Sequence, residues 1–385
     1  MSFLFLFFFI SGSFVSVFSS VSASELADDL WKTKMPMNQA RNGLGVVTVD
    51  NKIYVIGGQA DDGFVGTNER YDPKTDKWVT LKPMPTPRVN FAIAAFQGKI
   101  YCIGGESRDG VCSGVEVYDV ATDSWSAKKD VPFNGLDIQA HVVDGKIFVV
   151  KKHDFTWATP YTFTLDVYRY NISTDKWTQE DVPYTDWVAT GSVMFGFVSV
   201  EMGDKMMIYF KYIEPGNLWY DVFDIAMIYD AKTNAWGESF TPPNVLGFPA
   251  TTLGRVFGGC ITSGIYAPEK IYFFQEARTT VYDPAKATWY DVASMPVSRI
   301  DFGVAIVNDI IYVIGGKVAG EPYGDFLAIN EQYIPRGYTS IIPPDASSTI
   351  PTPNSNRLFI GIAIIAVVAV ATTGVLLTKK KQKVM

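Results

Sequence analysis

Three arginines hold the same place in a repeated frame. Arg41, Arg88 and Arg299 each stand 16 residues before the first glycine of a Gly-Gly pair, at Gly57, Gly104 and Gly315. Guanidinium groups gathered in one arc could bind a carboxylate through paired hydrogen bonds. The other reading makes each arginine a framework residue, bonded to neighbouring carbonyls. An acid or base for such a site could be Asp301, two residues after Arg299 and so on the same face of an extended strand, or Asp137.

Other chemistries find less support. The chain has two histidines, His141 and His153, and three cysteines, Cys102, Cys112 and Cys260. Zinc or copper held by imidazole needs more of them, or cysteines at short spacing, so neither metal nor cofactor is expected. No Gly-x-Ser-x-Gly occurs to raise a serine nucleophile. The net charge is −7, and setting aside Lys379, Lys380, Lys381 and Lys383 leaves 29 basic against 40 acidic residues. Without a basic stripe, nucleic acid is a poor partner.

Aromatic residues cluster in two long insertions, Trp157 in one and Trp219 in the other. Such loops can form a platform for a sugar or a protein, or can pack only against their own neighbours. Asn171-Ile172-Ser173 is the one N-glycosylation sequon.

The elements that must position these residues come from an internal repeat. Asn51-Lys52-Ile53-Tyr54-Val55-Ile56-Gly57-Gly58 recurs over residues 98–105 and 309–316, and weaker copies begin at Lys146, Lys205 and Lys270. Each is a short apolar, β-branched and aromatic run between turn signals, which predicts a buried strand. Tyr71 precedes Trp78 by seven residues, and Tyr118–Trp125, Tyr170–Trp177, Tyr229–Trp236 and Tyr282–Trp289 repeat the interval. Polar turn residues fill each gap. Tyr333 lacks its tryptophan and Trp31 lacks its tyrosine. A circular array in which the segment around Trp31 completes the sixth unit joins the two loose ends and removes an open edge.

The apolar-Tyr-apolar-Ile-Gly-Gly strand ends, the Tyr-x6-Trp pairs and Met35-Pro36, Met84-Pro85 and Met295-Pro296 resemble kelch repeats over roughly residues 28–338. The resemblance implies an all-β, six-bladed kelch β-propeller with one four-stranded blade per repeat, closed by the N-terminal strand. It is strongest in the first, second and sixth repeats; the middle three lack the glycine pair. Some kelch-type propellers are copper oxidases with two histidine ligands, but His141 and His153 fall in one blade. Others are sialic acid mutarotases that use channel-mouth arginines and acids. Cys102 and the segment carrying Cys112 belong to neighbouring strands of one blade, so the expectation is either a disulfide or two separate thiols, while Cys260 is expected in the core.

Beyond the repeats, residues 1–23 read as a secretory signal peptide, cleaved after Ala23, with an uncleaved anchor as the alternative because no basic residue precedes the apolar run. The propeller spans 24–338. Residues 339–357 are rich in Pro, Ser and Thr and form a stalk. Leu358 to Leu377 is an uncharged run of 20 residues, long enough for a transmembrane helix, and the basic tail 378–385 follows. Basic residues stay in the cytoplasm, so the expected protein is a single-pass type I cell-membrane protein with its propeller outside. Its expected role is to bind a protein or carbohydrate ligand, with a sugar-acid mutarotase as the alternative.

Overall fold

The structure is a computed structural model that describes residues 29–136, 138–152, 165–180, 193–213, 222–233, 235–237, 258–320 and 324–339. The expected leader (1–23), the span (358–377), the tail (378–385) and all of the stalk but Thr339 lie outside the described residues. So do Asp137, His153, Trp157 and Trp219. Among the described residues no helix is long and apolar enough to cross a membrane.

Every regular element described is a strand, and the strands make six four-stranded antiparallel sheets. Sheet 1 runs Gly45–Val49, Lys52–Ile56, Asn68–Asp72 and Lys77–Leu81. Sheets 2 to 5 start at Ala92–Phe96, Ile138–Val143, Val193–Met202 and Gly258–Ile261, and sheet 6 at Gly303–Val307. Within each sheet successive strands are neighbours, as hairpin connections require. The repeated apolar run is the second strand, and it is buried on both faces because a sheet packs on either side of it.

The first strands touch in order. Gly45–Val49 lies against Ala92–Phe96 on one side and Gly303–Val307 on the other, and each of the six has two such neighbours. Six apolar clusters fill the six gaps between consecutive sheets. Leu30–Lys34 is the fourth strand of sheet 6, pairing with Asn330–Ile334 so that Trp31 faces Tyr333. This is the register of Tyr71 with Trp78 and of Tyr118 with Trp125.

The seven-residue interval serves a latch between sheets. The Tyr71 hydroxyl donates to Asp76 at 2.6 Å, and the same carboxylate accepts the Met35 N–H at 2.9 Å. The Trp78 indole N–H donates to the Met35 carbonyl at 2.8 Å. Tyr118, Asp123 and Trp125 hold Lys82 in the same way, and Tyr170, Asp175 and Trp177 hold Lys129. Each turn thus grips the chain leaving the preceding sheet. The aspartates sit at φ of 54°, 47° and 53°, a left-handed conformation that aspartate tolerates better than most residues.

Sheet 5 departs from the frame. Its first two strands are joined by residues 262–270, where sheet 1 has only Asp50 and Asn51. The longer hairpin is folded around Asp309 of sheet 6, whose carboxylate accepts the N–H groups of Ser263, Ile265, Tyr266 and Ala267 and the Ser263 hydroxyl. Tyr266 stacks on Tyr338, and its carbonyl accepts the Thr339 N–H at 2.7 Å. Counting back 16 residues from Gln275, which stands where the other repeats have their first glycine, therefore lands on Gly259 inside a strand, opposite Phe273.

The Cys102–Cys112 bridge is not formed, and all three thiols are free. The register explains it. Cys102 faces Ile93 and Glu116, whereas Cys112 comes just after the small outer strand Gly110–Val111, four residues before Glu116.

Candidate functional site

Each sheet has two edges. The turn edge carries the first-to-second and third-to-fourth strand turns. The glycine edge carries the Gly-Gly pairs and the starts of the first strands, and there the three arginines converge.

The arginine side chains are enclosed, at 0%, 1% and 0% exposure for Arg41, Arg88 and Arg299. Arg41 pairs with Glu69 at 2.9 Å and donates to the Val55 carbonyl at 3.0 Å. Arg299 repeats this with Glu331 at 2.8 Å and the Val313 carbonyl at 3.1 Å. Arg88 pairs with Glu116 at 2.5 Å and donates to the carbonyls of Gly104 and Gly114. Burial pulls the Arg41 and Arg299 guanidinium groups below their ordinary value, and the facing glutamates oppose it. Guanidinium stays charged regardless. With their charges met inside the sheets, the arginines have no face open to a ligand carboxylate, so an accessible arginine arc gives way to the framework role.

Their spacing has a backbone cause. The Arg88 carbonyl accepts the Gly58 N–H at 2.8 Å, and the Arg41 carbonyl accepts the Gly316 N–H at 3.0 Å. A Cβ on Gly57, at φ +64°, would come within 2.9 Å of the Arg88 carbonyl. The glycine pair of one sheet and the arginine of the next are two halves of one contact. Gly135 takes the arginine's place in sheet 3, accepting from Gly105 at 2.8 Å, so the contact survives there without a guanidinium.

Two residues beyond the arginines, Gly43, Asn90 and Asp301 all turn left-handed, at φ of 58°, 54° and 55°. Their main chains form a relay: Asn90 N–H donates to Gly43, and Gly43 N–H donates to Asp301, each at 2.8 Å. This conformation corrects the placement of Asp301 on the strand face of Arg299. Strand Arg299–Ile300 ends first, and the carboxylate turns to Asn42 Nδ2 at 3.3 Å and to Lys317 at 3.6 Å. Of the predicted acid and basic residues described, Asp301 alone keeps its functional group partly exposed.

A second polar cluster escaped the sequence reading except for His141. Between the first strands of sheets 3 and 4, His141 Nε2 and Ser199 Oγ lie 2.6 Å apart, and the Ser199 N–H donates to Gln139 Oε1 at 2.7 Å. Gln139 Nε2 donates to the Phe197 carbonyl. Burial pushes His141 down to about 4 and Glu201 up to about 7, the latter opposed by the Val142 N–H. The signal was available: polar residues at 139, 141, 199 and 201 alternate within otherwise apolar strands. Ser199 is buried and its hydroxyl and N–H are engaged by His141 and Gln139, so the cluster joins the two sheets. Among the described residues no group of three or more His, Cys, Asp or Glu is placed to hold a metal ion.

Sheets, latches and glycine contacts together define a repeat protein built from kelch-type units. A family model, the KLHDC2/KLHL20/DRC7 Kelch-repeats domain, matches residues 15–210, and the chain belongs to the kelch-repeat family. The Kelch-like protein terF of Aspergillus terreus (strain NIH 2624 / FGSC A1156) is 28% identical over 120 residues, 30% of this chain. The matched part is 25% of that relative's length. Among solved structures, YjhT is similar in fold at a TM-score of 0.56 and 16% identity, over 77% of this chain and 95% of its own.

Proposed function

We propose that this kelch propeller is a display module that binds a protein or a glycan outside the cell. In this reading six blades form a ring closed by the N-terminal strand, the leader is removed after Ala23, and a stalk over 339–357 joins the ring to a single span over 358–377.

The observation that carries the reading is the division of labour between the edges. Leu30 and Thr339, next to the two ends of the described chain, both lie at the turn edge. The connections over 153–164, 181–192 and 214–221 start and finish at the glycine edge. Trp157 and Trp219 belong to two of these connections. A tether on one edge leaves the other, where these connections begin and end, free to meet a partner. Protease shaving of intact cells tests the topology: release of the propeller is expected, with a small basic fragment left in the membrane. Saturation-transfer NMR on soluble residues 24–340 with neutral and acidic sugars tests the ligand class. A transfer signal that disappears in Trp157→Ala or Trp219→Ala supports a glycan. No signal for any sugar leaves a protein partner, to be captured by surface crosslinking.

A sugar-acid mutarotase is the second reading, resting on the Asp301 carboxylate beside Lys317 and Asn42 at the glycine edge. Faster anomer exchange that disappears in Asp301→Asn is its signature, and unchanged exchange removes it.

A further inference from the structure

Five of the six sheets share an arrangement on the turn edge that the sequon modifies in one of them. The residue after the tyrosine of each Tyr–Trp pair ends the third strand and lies across from the lysine at the start of the second. In sheets 1, 2, 4 and 5 it is an aspartate, and it pairs with that lysine: Asp72 with Lys52, Asp119 with Lys99, Asp230 with Lys205 and Asp283 with Lys270. One oxygen of each aspartate also caps the turn, accepting from N–H groups two or three residues on.

In sheet 3 this position is Asn171. Its Oδ1 keeps the capping role, accepting the N–H groups of Ser173 and Thr174 and the Ser173 hydroxyl at 2.7 Å. The amide cannot accept from a lysine through Nδ2, and Lys146 turns instead to Asp144 at 3.2 Å. With Oδ1 committed to the turn, Nδ2 has no partner among the described residues. Ser173 and Thr174 beside it are exposed. A position built elsewhere for an ion pair has become a half-buried amide whose nitrogen the turn does not use, with a hydroxyl two residues on.

We propose that Asn171 carries an N-linked glycan, set on the turn edge of sheet 3. In the transfer, Nδ2 forms a bond to the anomeric carbon of a lipid-pyrophosphate-linked oligosaccharide. The anomeric C–O bond to pyrophosphate breaks with its electron pair staying on the departing lipid pyrophosphate. The proton lost from Nδ2 passes to a base of the host transferase. The folded turn accommodates the product because it uses Oδ1, not Nδ2. Sheet 3 is three steps round the ring from sheet 6, where the described chain ends leave. Glycan and chain ends therefore take opposite sides of one edge, and neither covers the glycine edge.

This inference rests on the proposed exported topology, so the test reads the two separately. The full chain is translated with oligosaccharide-competent microsomes, then probed by added protease and by endoglycosidase. The expected result is a protease-protected propeller with a one-glycan mobility shift, removed by endoglycosidase and absent in both Asn171→Gln and Ser173→Ala. A protected chain without the shift overturns the glycan and leaves the topology standing. A chain neither protected nor shifted overturns both. Asn171→Asp guards against misfolding as the cause of a missing shift: it restores the residue the other sheets use, and is expected to lose the glycan while melting no lower than the unmodified parent.

Discussion

The Tyr333 hydroxyl donates to Asp29 Oδ1 at 2.7 Å, although 304 residues separate the two. In sheets 1 to 3 the latch aspartate follows its tyrosine by five residues and precedes its tryptophan by two. Here tyrosine comes from one end of the repeats and Asp29-x-Trp31 from the other. The indole of Trp31 still reaches back to the preceding sheet, donating to the Ala293 carbonyl at 2.9 Å. Asp29 has φ 39° and also accepts the Arg336 N–H.

Asp29→Ala is expected to cost about 1.5–3 kcal/mol, the usual range for a hydrogen bond to a charged acceptor. Urea denaturation of the soluble propeller measures it, with Asp76→Ala as the comparison within one continuous unit. Deleting residues 24–35 also strips the outer partner from Asn330–Ile334 and is expected to abolish cooperative folding. A deletion that melts sharply at the parent temperature would refute closure through this strand.

The enclosed ion pairs predict a different pattern. Arg299→Ala leaves Glu331 buried without its counter-charge and is expected to destabilise by about 3–5 kcal/mol. Replacing both partners with apolar residues of similar volume is expected to recover most of that loss. Thermal melts of the two single variants and the double variant decide. A single variant that melts like the parent but no longer binds a ligand would return the arginine to the binding site.

The polar seam between sheets 3 and 4 titrates in two opposed directions. His141 has its folded pKa lowered to about 4, so the unfolded chain takes up the proton first and stability falls as pH drops from about 6.5 towards 4. Glu201 has its folded value raised to about 7, so its contribution is present below about 4.5 and is lost as pH rises towards 7. The two slopes offset each other over most of that window. Glu201→Gln is expected to make stability rise with pH between about 4 and 6.5, each effect being on the order of 3 kcal/mol. His141→Gln is expected to make it fall. Denaturant midpoints across pH separate the variants, and parallel curves for all three proteins would dismiss the effect.

Thiol reactivity offers a quick check on the register. Burial pushes the Cys102 and Cys260 thiols well above their ordinary value. Maleimide is expected to label Cys112 first, Cys102 only on unfolding, and Cys112→Ser is expected to leave the melting temperature unchanged. A mass change of two hydrogens on reduction of the native protein would instead reveal a disulfide.

The repeat was legible because its signals are local and periodic. The Gly-Gly strand ends and the Tyr–Trp interval record one contact each, copied with little change. Trp31 and Tyr333 could be paired from sequence because each visibly lacked a partner. The arginines were located by the same spacing, but their role depended on Glu69, Glu116 and Glu331, which the spacing did not connect to them. Asp301 was misplaced because period-two reasoning assumes that a strand continues, and this one stops at a left-handed residue. In sheet 5 the 16-residue count fails because the 262–270 hairpin lengthens the frame without any break in composition. The His141 seam needed knowledge of which sheets are neighbours, and no single strand contains that.

The docking of Tyr338 and Thr339 on the Asp309-centred hairpin bears on how the molecule carries load. A pull applied to the chain beyond Thr339 meets that hairpin before it meets the ring. What it then loads is Asn330–Ile334, a strand hydrogen-bonded on one side to Ile310–Ile314 and on the other to Leu30–Lys34. Force directed along that strand must shear two ladders together, whereas the outer strands of the other sheets could be peeled one bond at a time. The molecule is gripped at a strand that resists tension from both sides.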